Sequence, residues 1–357
     1  MPVYLKTIGF SVIFIGILEG LAEAVSGLSK GYFGKLSDAT GKRVPFVRLG
    51  YTLSAISKPM LAIFTYPLWV FFSRTTDRLG KGIRTGARDA LLSDEATPAT
   101  KGKIFGFHRS MDTLGAVIGP AFALVYLYYN PTHYKGLFLI AFVPGILAIL
   151  ATLFLKQKKN PSPKEKSTVS FFSFLNYWKQ SDIRYRKLLI GLLVFALFNS
   201  SDVFLLLKVK ESGVSDTYVI GLYIFYNLIY SIFAFPLGII ADKLGMKNIF
   251  ISGLIIFSVV YAGMGITTEL WWFVILFLLY GIYAAATEGI AKAWISNIAD
   301  KKDTATAIGT YTGFQSICSF FASSLAGFIW FQWGSTTAFI SASIITSFVV
   351  IYFLLSE

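Results

Sequence analysis

Gly34-Lys35-Leu36-Ser37-Asp38-Ala39-Thr40-Gly41-Lys42-Arg43 returns 204 positions later as Gly238-Ile239-Ile240-Ala241-Asp242-Lys243-Leu244-Gly245-Met246-Lys247. Both copies follow Gly-x-x-x-Asp-x-x-Gly-x-Lys/Arg, closing on Arg43 and on Lys247. Each follows a long apolar segment and precedes another, so each reads as a tight polar turn between hydrophobic helices. Self-similarity at this separation divides the chain into two related halves. Repeated halves that rock against each other are the architecture of secondary transporters.

Composition places those halves in a bilayer. Of 357 residues, 55% are hydrophobic and 17% aromatic, and the mean hydropathy is +0.64. Apolar stretches of about 20 residues recur, which only a membrane rewards. The single cysteine, Cys318, excludes a disulfide within the chain and argues against a zinc site. The formal charge of +13 comes from basic residues between the apolar stretches. It therefore reads as membrane orientation rather than nucleic-acid binding. The first apolar run is long and lacks a small-residue cleavage site, unlike a signal peptide.

Eleven spans are expected, at 9–30, 44–64, 66–92, 104–129, 137–155, 188–208, 217–240, 248–266, 271–297, 305–331 and 336–355. The fold class is thus an all-α polytopic membrane protein. Residues 1–155 form an N-terminal bundle of five spans and 188–357 a C-terminal bundle of six. The basic linker 156–187 carries nine Lys or Arg, and its segment Phe171–Lys179 reads as an interfacial amphipathic helix. By the positive-inside rule the linker, both repeated turns and the C-terminus are cytoplasmic. Trp271, Trp272, Trp330 and Trp333 then fall near the outer interface. The same alternation puts Met1 outside, and one span precedes the first repeated turn where two precede the second. The expectation is a six-plus-six plan from which the first helix is missing, with a misplaced start codon as the favoured cause.

These residues resemble the major facilitator superfamily (MFS), whose loop between helices two and three reads Gly-x-Leu-x-Asp-Arg-x-Gly-Arg-Arg. Gly34, Leu36, Asp38, Gly41, Lys42 and Arg43 match it, while Ala39 departs from the basic residue that Lys243 keeps. Gly115-Ala116-Val117-Ile118-Gly119-Pro120 resembles the family's antiporter-associated pattern, with Ala123 in place of the last glycine. Asp77-Arg78-Leu79-Gly80-Lys81-Gly82-Ile83-Arg84, Ala87-Arg88-Asp89-Ala90-Leu91-Leu92 and Asn199-Ser200-Ser201-Asp202 resemble a poorly characterised bacterial branch. The resemblance implies a two-bundle fold in a bacterial cytoplasmic membrane and transport of small solutes, without a cofactor and as a monomer.

The span from Tyr66 to Leu92 carries the most chemistry. Arg74, Asp77, Arg78, Lys81, Arg84 and Arg88 recur every three or four residues and share one face. With Asp89 the stripe has a net charge of +3. Arg74, Asp77 and Arg78 would together cost roughly 7–10 kcal/mol facing lipid at mid-span. They are expected to face a wet cavity or counter-charges, where arginine suits a carboxylate or phosphate. In a competing reading, residues 44–72 are one long span and 74–94 a solvated loop; in another, Lys81, Arg84 and Arg88 are structural and pair with Asp89 and Asp94.

Glu19, Glu23, Asp202 and Glu288 are deep carboxylates, each a candidate for loading a coupling proton or for a helix-holding salt bridge. Glu288 stands four residues before Lys292, a favourable local pair. His108, Arg109 and Asp112 are expected as gate contacts. Gly34, Asp38, Gly41, Arg43, Asp94, Gly238, Asp242 and Gly245 are expected to form gates, with Asp38 and Asp242 accepting from a helix N-terminus and Arg43 reaching Asp94. Gly115, Gly119 and Pro120 are expected to allow close packing and a bend.

The expected function is secondary transport of a small organic solute by alternating access, coupled to a proton or another cation, with a lean to export. Uptake of an organic anion is the second reading. A non-transporting paralogue, a sensor or assembly component, is the third. With no metal-ligand cluster, nucleophile constellation or phosphate loop, the chain does not read as an enzyme.

Overall fold

The computed structural model describes Leu5, Gly9, Phe10 and residues 12–156 and 170–356, leaving aside the side chains of residues 12–17, 19, 20, 24 and 216. Its main helices are α1 (Val12–Thr40), α2 (Val44–Ile63), α3 (Pro67–Asp94), α4 (Lys101–Tyr129), α5 (Tyr134–Leu153), α6 (Ile183–Ala196), α7 (Val203–Glu211), α8 (Asp216–Leu244), α9 (Met246–Ile266), α10 (Leu270–Ile298) and α11 (Thr304–Leu355). The described residues contain no strand. Among the described residues, six helices are long and apolar enough by composition to cross a membrane: α4, α5, α8, α9, α10 and α11.

The expected turns are shorter than the repeated motif. α1 runs through Asp38 to Thr40, and only Gly41, Lys42 and Arg43 turn the chain, with Gly41 at φ 64°. In the second copy Gly245 alone, at φ 94° and ψ 134°, separates α8 from α9. Both glycines occupy backbone that other residues rarely adopt. The consequence is functional: Asp38 and Asp242 project from the last turn of a rigid helix rather than from a loop.

The spans expected at 305–331 and 336–355 are two helical stretches within α11 that meet at a kink, where Gly334 (φ 87°, ψ 166°) is non-helical. One other boundary differs from expectation: the span expected over 188–208 is broken, because α6 stops at Ala196 and α7 starts at Val203. Polar side chains compete for the backbone there. The Ser201 amide donates to Ser323 Oγ at 3.2 Å, and the Val203 amide to Ser201 Oγ at 3.4 Å. Where α6 begins, Asp182 caps the helix by accepting from the Arg184 amide at 2.7 Å. Hydrogen bonds from the Arg184 side chain and amide hold the Asp182 carboxyl below the usual carboxylate range.

The chain packs as two compact units, and each draws on both sequence halves. One comprises Met1–Leu91, Pro120–Ser181 and Asp300–Ile317; the other comprises Leu92–Gly119, Asp182–Ala299 and Cys318–Glu357. In the first, Leu5, Phe10, Leu18, Leu61 and Val70 form a buried cluster against Phe71, Tyr134 and Phe138. The segment expected as an interfacial helix is a 3-10 turn over Ser173–Asn176 followed by a helical turn over Tyr177–Gln180. Phe174 and Tyr177 are buried, and the Phe171 ring lies 5.1 Å from that of Tyr32 of α1, tilted by 32°. In the second unit, Phe257, Phe273 and Phe277 lie in the core. Large apolar side chains also cover the outside, among them Leu68, Phe122, Tyr128, Phe154 and Phe331. A hydrocarbon surrounding accommodates such a surface, whereas water would penalise it. Trp271, Trp272 and Trp333 are likewise exposed.

Candidate functional site

In the first unit, Asp38 closes the first turn of α11. Its carboxylate accepts from the Thr306 amide at 2.6 Å, the Thr306 hydroxyl at 2.7 Å and the Ala305 amide at 3.4 Å. Those first-turn amides have no partner within their own helix, and the helix dipole favours an anion there. Arg43 donates to Asp38 Oδ1 at 3.0 Å and to the Lys301 carbonyl at 3.3 Å. Asp38 and Arg43 are both buried. A residue of the first repeated motif thus holds the start of a helix from the second sequence half.

The second unit repeats the device with the halves exchanged. Asp242 accepts from the Gly102 and Lys103 amides at the start of α4, each at 2.7 Å. Glycines let the backbones meet in both places. A Cβ at Gly238 would stand 3.2 Å from Gly106 Cα and would collide with the Gly102 carbonyl. A Cβ at Gly34 would stand 3.4 Å from Gly309 Cα and would collide with the Ala305 carbonyl. A third helix joins each crossing: Gly86 lies against Gly34 and Ala305, and Gly289 against Phe105. The sequence reading missed Gly86, Gly102, Gly106, Gly289 and Gly309, although Gly86 and Gly289 repeat 203 positions apart. By contrast, a Cβ at Gly115 or Gly119, expected as packing positions, would meet nothing within 4 Å.

The charged stripe of α3 is threaded with counter-charges in the first unit. Asp77 pairs with Lys58 at 3.1 Å and with Arg74 at 3.7 Å. Arg78 pairs with Glu23 at 3.5 Å, and Lys30 stands 4.0 Å from the same carboxylate. Lys30 also donates to Ser316 Oγ at 2.7 Å. Lys58, Arg74, Arg78 and Lys30 thus gather about Asp77 and Glu23. Further along, Arg84 donates to Ser54 at 2.8 Å and lies 4.3 Å over the Tyr51 ring, while Arg88 bonds Asp89 at 2.9 Å. Arg74 is buried and Lys81 is exposed, so the expected single stripe has unequal members. Lys58, from α2, had no signal in the sequence beyond its charge. Glu19's side chain lies outside the described residues.

The second unit carries two separate carboxylate sites. Glu288 of α10 accepts from Arg109 of α4 at 2.6 Å, and Arg109 also reaches Asp112 at 3.1 Å and the Tyr230 hydroxyl of α8. This link joins three helices and gives Glu288 a long-range partner. Asp202, at the broken helix, is held by the Tyr280 hydroxyl at 2.6 Å and by that of Tyr226. Asn199 donates to Tyr283 at 3.0 Å. Neither Tyr226 nor Tyr280 was foreseen, because aromatic residues in an apolar span carry no periodic signal of their own.

Comparison with known proteins follows the same lines. The sequence model of the Major Facilitator Superfamily matches residues 1–226 and 203–357. An uncharacterized MFS-type transporter of Methanocaldococcus jannaschii is 32% identical over 354 residues, spanning 96% of this chain and 87% of that protein. The quinolone resistance protein NorA of Staphylococcus aureus is 25% identical over 153 residues, 42% of this chain and 39% of NorA. The structure of the human organic anion transporter MFSD10 aligns with a TM-score of 0.79 at 15% identity, over 98% of this chain and 87% of that one. The E. coli fucose:proton symporter FucP aligns with a TM-score of 0.77 at 12% identity, over 99% and 95%. At these identities the structural likenesses speak for the fold, whereas the sequence match spans both repeats. The chain belongs to the Major Facilitator Superfamily.

Proposed function

We propose that the protein is a secondary active transporter that moves a small organic solute by alternating access, coupled to an ion gradient and leaning to export. The moving bodies are the bundles 1–155 and 188–357, joined by the linker 156–187, with linker and C-terminus cytoplasmic. The observation that carries this reading is the exchange of aspartates. Asp38 ties the first sequence half to α11, and Asp242 ties the second half to α4. Bundles that part at this end must break both ties, and bundles that close must remake them. Basic residues around both turns put that end in the cytoplasm. Membership of a transporter family and the fold of a fucose:proton symporter support the same function.

The proton is the first candidate for coupling. Glu23 and Glu288 each hold an arginine, Arg78 at 3.5 Å and Arg109 at 2.6 Å. A proton loaded on either carboxylate would dissolve its ion pair and so convert a gradient into a rearrangement of helices. Purified protein in proteoliposomes with an imposed pH gradient tests the proposal, with a pH dye inside and a panel of fluorescent organic solutes outside or preloaded. Solute-dependent collapse of the gradient is the expected result. Absence of flux for the whole panel, with the gradient intact, would count against transport.

Uptake of an organic anion is a second reading, favoured by the four cations that face Asp77 and Glu23. Arg74→Ala tests it, because Lys58 remains on Asp77 and keeps that carboxylate neutralised. The expected result is a rise in KM of about tenfold for organic anions, the loss of one charge-assisted hydrogen bond worth ~1.5 kcal/mol. Unchanged uptake would remove Arg74 from the binding site.

A further inference from the structure

We infer that the break between α6 and α7 is a binding site for a dehydrated monovalent cation, Na+, built from Asp202, Asn199 and the freed carbonyls of Leu197, Asn199 and Ser200. The inference concerns binding at one place in the second unit, and it stands or falls separately from the direction of transport.

The first observation is a carboxylate without a cation. Asp38, Asp77, Glu23 and Glu288 each have Arg or Lys within salt-bridge distance. Asp202 makes no such pair among the described residues, and its hydrogen-bond partners are the hydroxyls of Tyr226 and Tyr280. A carboxylate within an apolar helix bundle must be neutralised, either by a proton or by a counter-ion.

The second observation decides between them. Asn199 Oδ1 is buried and accepts no hydrogen bond, while the same side chain's amide is engaged by Tyr283. Backbone acceptors are released beside it. The amides that would bond Leu197, Asn199 and Ser200 in a continuous helix belong to Ser201, Val203 and Phe204. They go instead to Ser323 Oγ, Ser201 Oγ and the Ser201 carbonyl. A proton on Asp202 would satisfy one carboxylate oxygen and leave these acceptors as they are. A cation stripped of water requires several oxygens at once, and a broken helix inside a transporter is a setting that provides them.

Charge selects the ion. The break supplies one carboxylate, one amide oxygen, tyrosine hydroxyls and neutral carbonyls, so a single positive charge balances it. Ca2+ is typically held by several carboxylates and Mg2+ keeps several of its waters, so neither suits this dehydrated set. A cavity within the same unit, lined by Phe198, Ser200, Phe204 and Tyr261 among others, reaches the break, and Ser201 is exposed.

The test is binding to the purified, detergent-solubilised full chain, followed by thermal unfolding at pH 8 in NaCl, KCl or choline chloride at equal ionic strength. Na+ is expected to raise the unfolding temperature by about 2–4 °C over choline, saturably, with K+ giving less. Asp202→Asn and Asn199→Ala are expected to abolish the increment while unfolding in choline at wild-type temperatures. Retained 22Na+ binding by both variants would overturn the inference. So would a wild-type protein that ignores Na+ but is stabilised by acidification, the signature of a proton at Asp202. Loss of Na+ binding with solute flux intact would leave the transport proposal standing, and absence of flux with Na+ bound would do the reverse.

Discussion

Asp38→Ala is expected to cut solute flux by about tenfold or more while leaving membrane insertion unchanged. The tie it removes consists of a buried ion pair with Arg43 at 3.0 Å and the acceptor for the first turn of α11. Removing one partner of a buried pair costs ~3–5 kcal/mol, because the remaining charge stays desolvated. Losing an anion at a helix N-terminus adds ~0.3–2 kcal/mol. Even ~1.4 kcal/mol of that sum, placed on one conformation, changes its population relative to the other tenfold. Asp38→Asn keeps an acceptor for the Thr306 amide without the charge and should fall between alanine and wild type. Asp242→Ala should be milder, about threefold, since Asp242 has backbone amides but, among the described residues, no ion pair, and is only partly buried. Initial-rate flux in proteoliposomes, normalised to reconstituted protein, checks the series. Equal rates for wild type and Asp38→Ala would show that the contact is decoration and that the bundles close by other means.

That ordering was partly readable in the chain. The repeat placed Asp38 and Asp242 in equivalent positions, and their role at helix N-termini follows from the chemistry of free amides. What the sequence did not disclose was which helix each would meet. The partners lie 268 residues away for Asp38 and 140 for Asp242, and no local pattern encodes such a pairing. Glu288 teaches the same lesson: Lys292 is its evident helical neighbour, yet Arg109, 179 residues away, donates to it. The charged face of α3 was legible as a burial problem, but its solution needed Lys58 and Glu23 from other helices. At the broken helix the polar run Asn199-Ser200-Ser201-Asp202 was visible, and its backbone consequence was outweighed by the apolar residues on both sides. Periodicity reports burial, whereas a break depends on which polar atoms capture the amides.

Gly238→Leu is the second large effect, and it acts through shape rather than charge. At this position a side chain meets backbone, the Gly102 carbonyl and Gly106 Cα, not the movable tip of a neighbouring residue. Overpacking typically costs ~1–3 kcal/mol even where side chains can shift; here the helices themselves must separate. Separation also draws the α4 amides away from Asp242, so the variant loses the hydrogen bonds of 2.7 Å along with the fit. Expression and insertion are expected to persist, because α8 remains as apolar as before and leucine favours a helix more than glycine does. Flux is expected to fall to background, and in a Cys318→Ser background a cysteine replacing the buried Ser110, which packs on Ser231 of α8, should become labelled by a water-soluble maleimide only in the leucine variant. Gly115→Leu is the matched control, a glycine on the same α4 with open space around it, and it should retain insertion and leave the labelling pattern unchanged. The distinction is between a helix crossing that must close in every cycle and a glycine that merely lies along a helix. If Gly238→Leu transports at the wild-type rate, the backbones do not need to meet, and the aspartate ties cannot be the contacts that close this end.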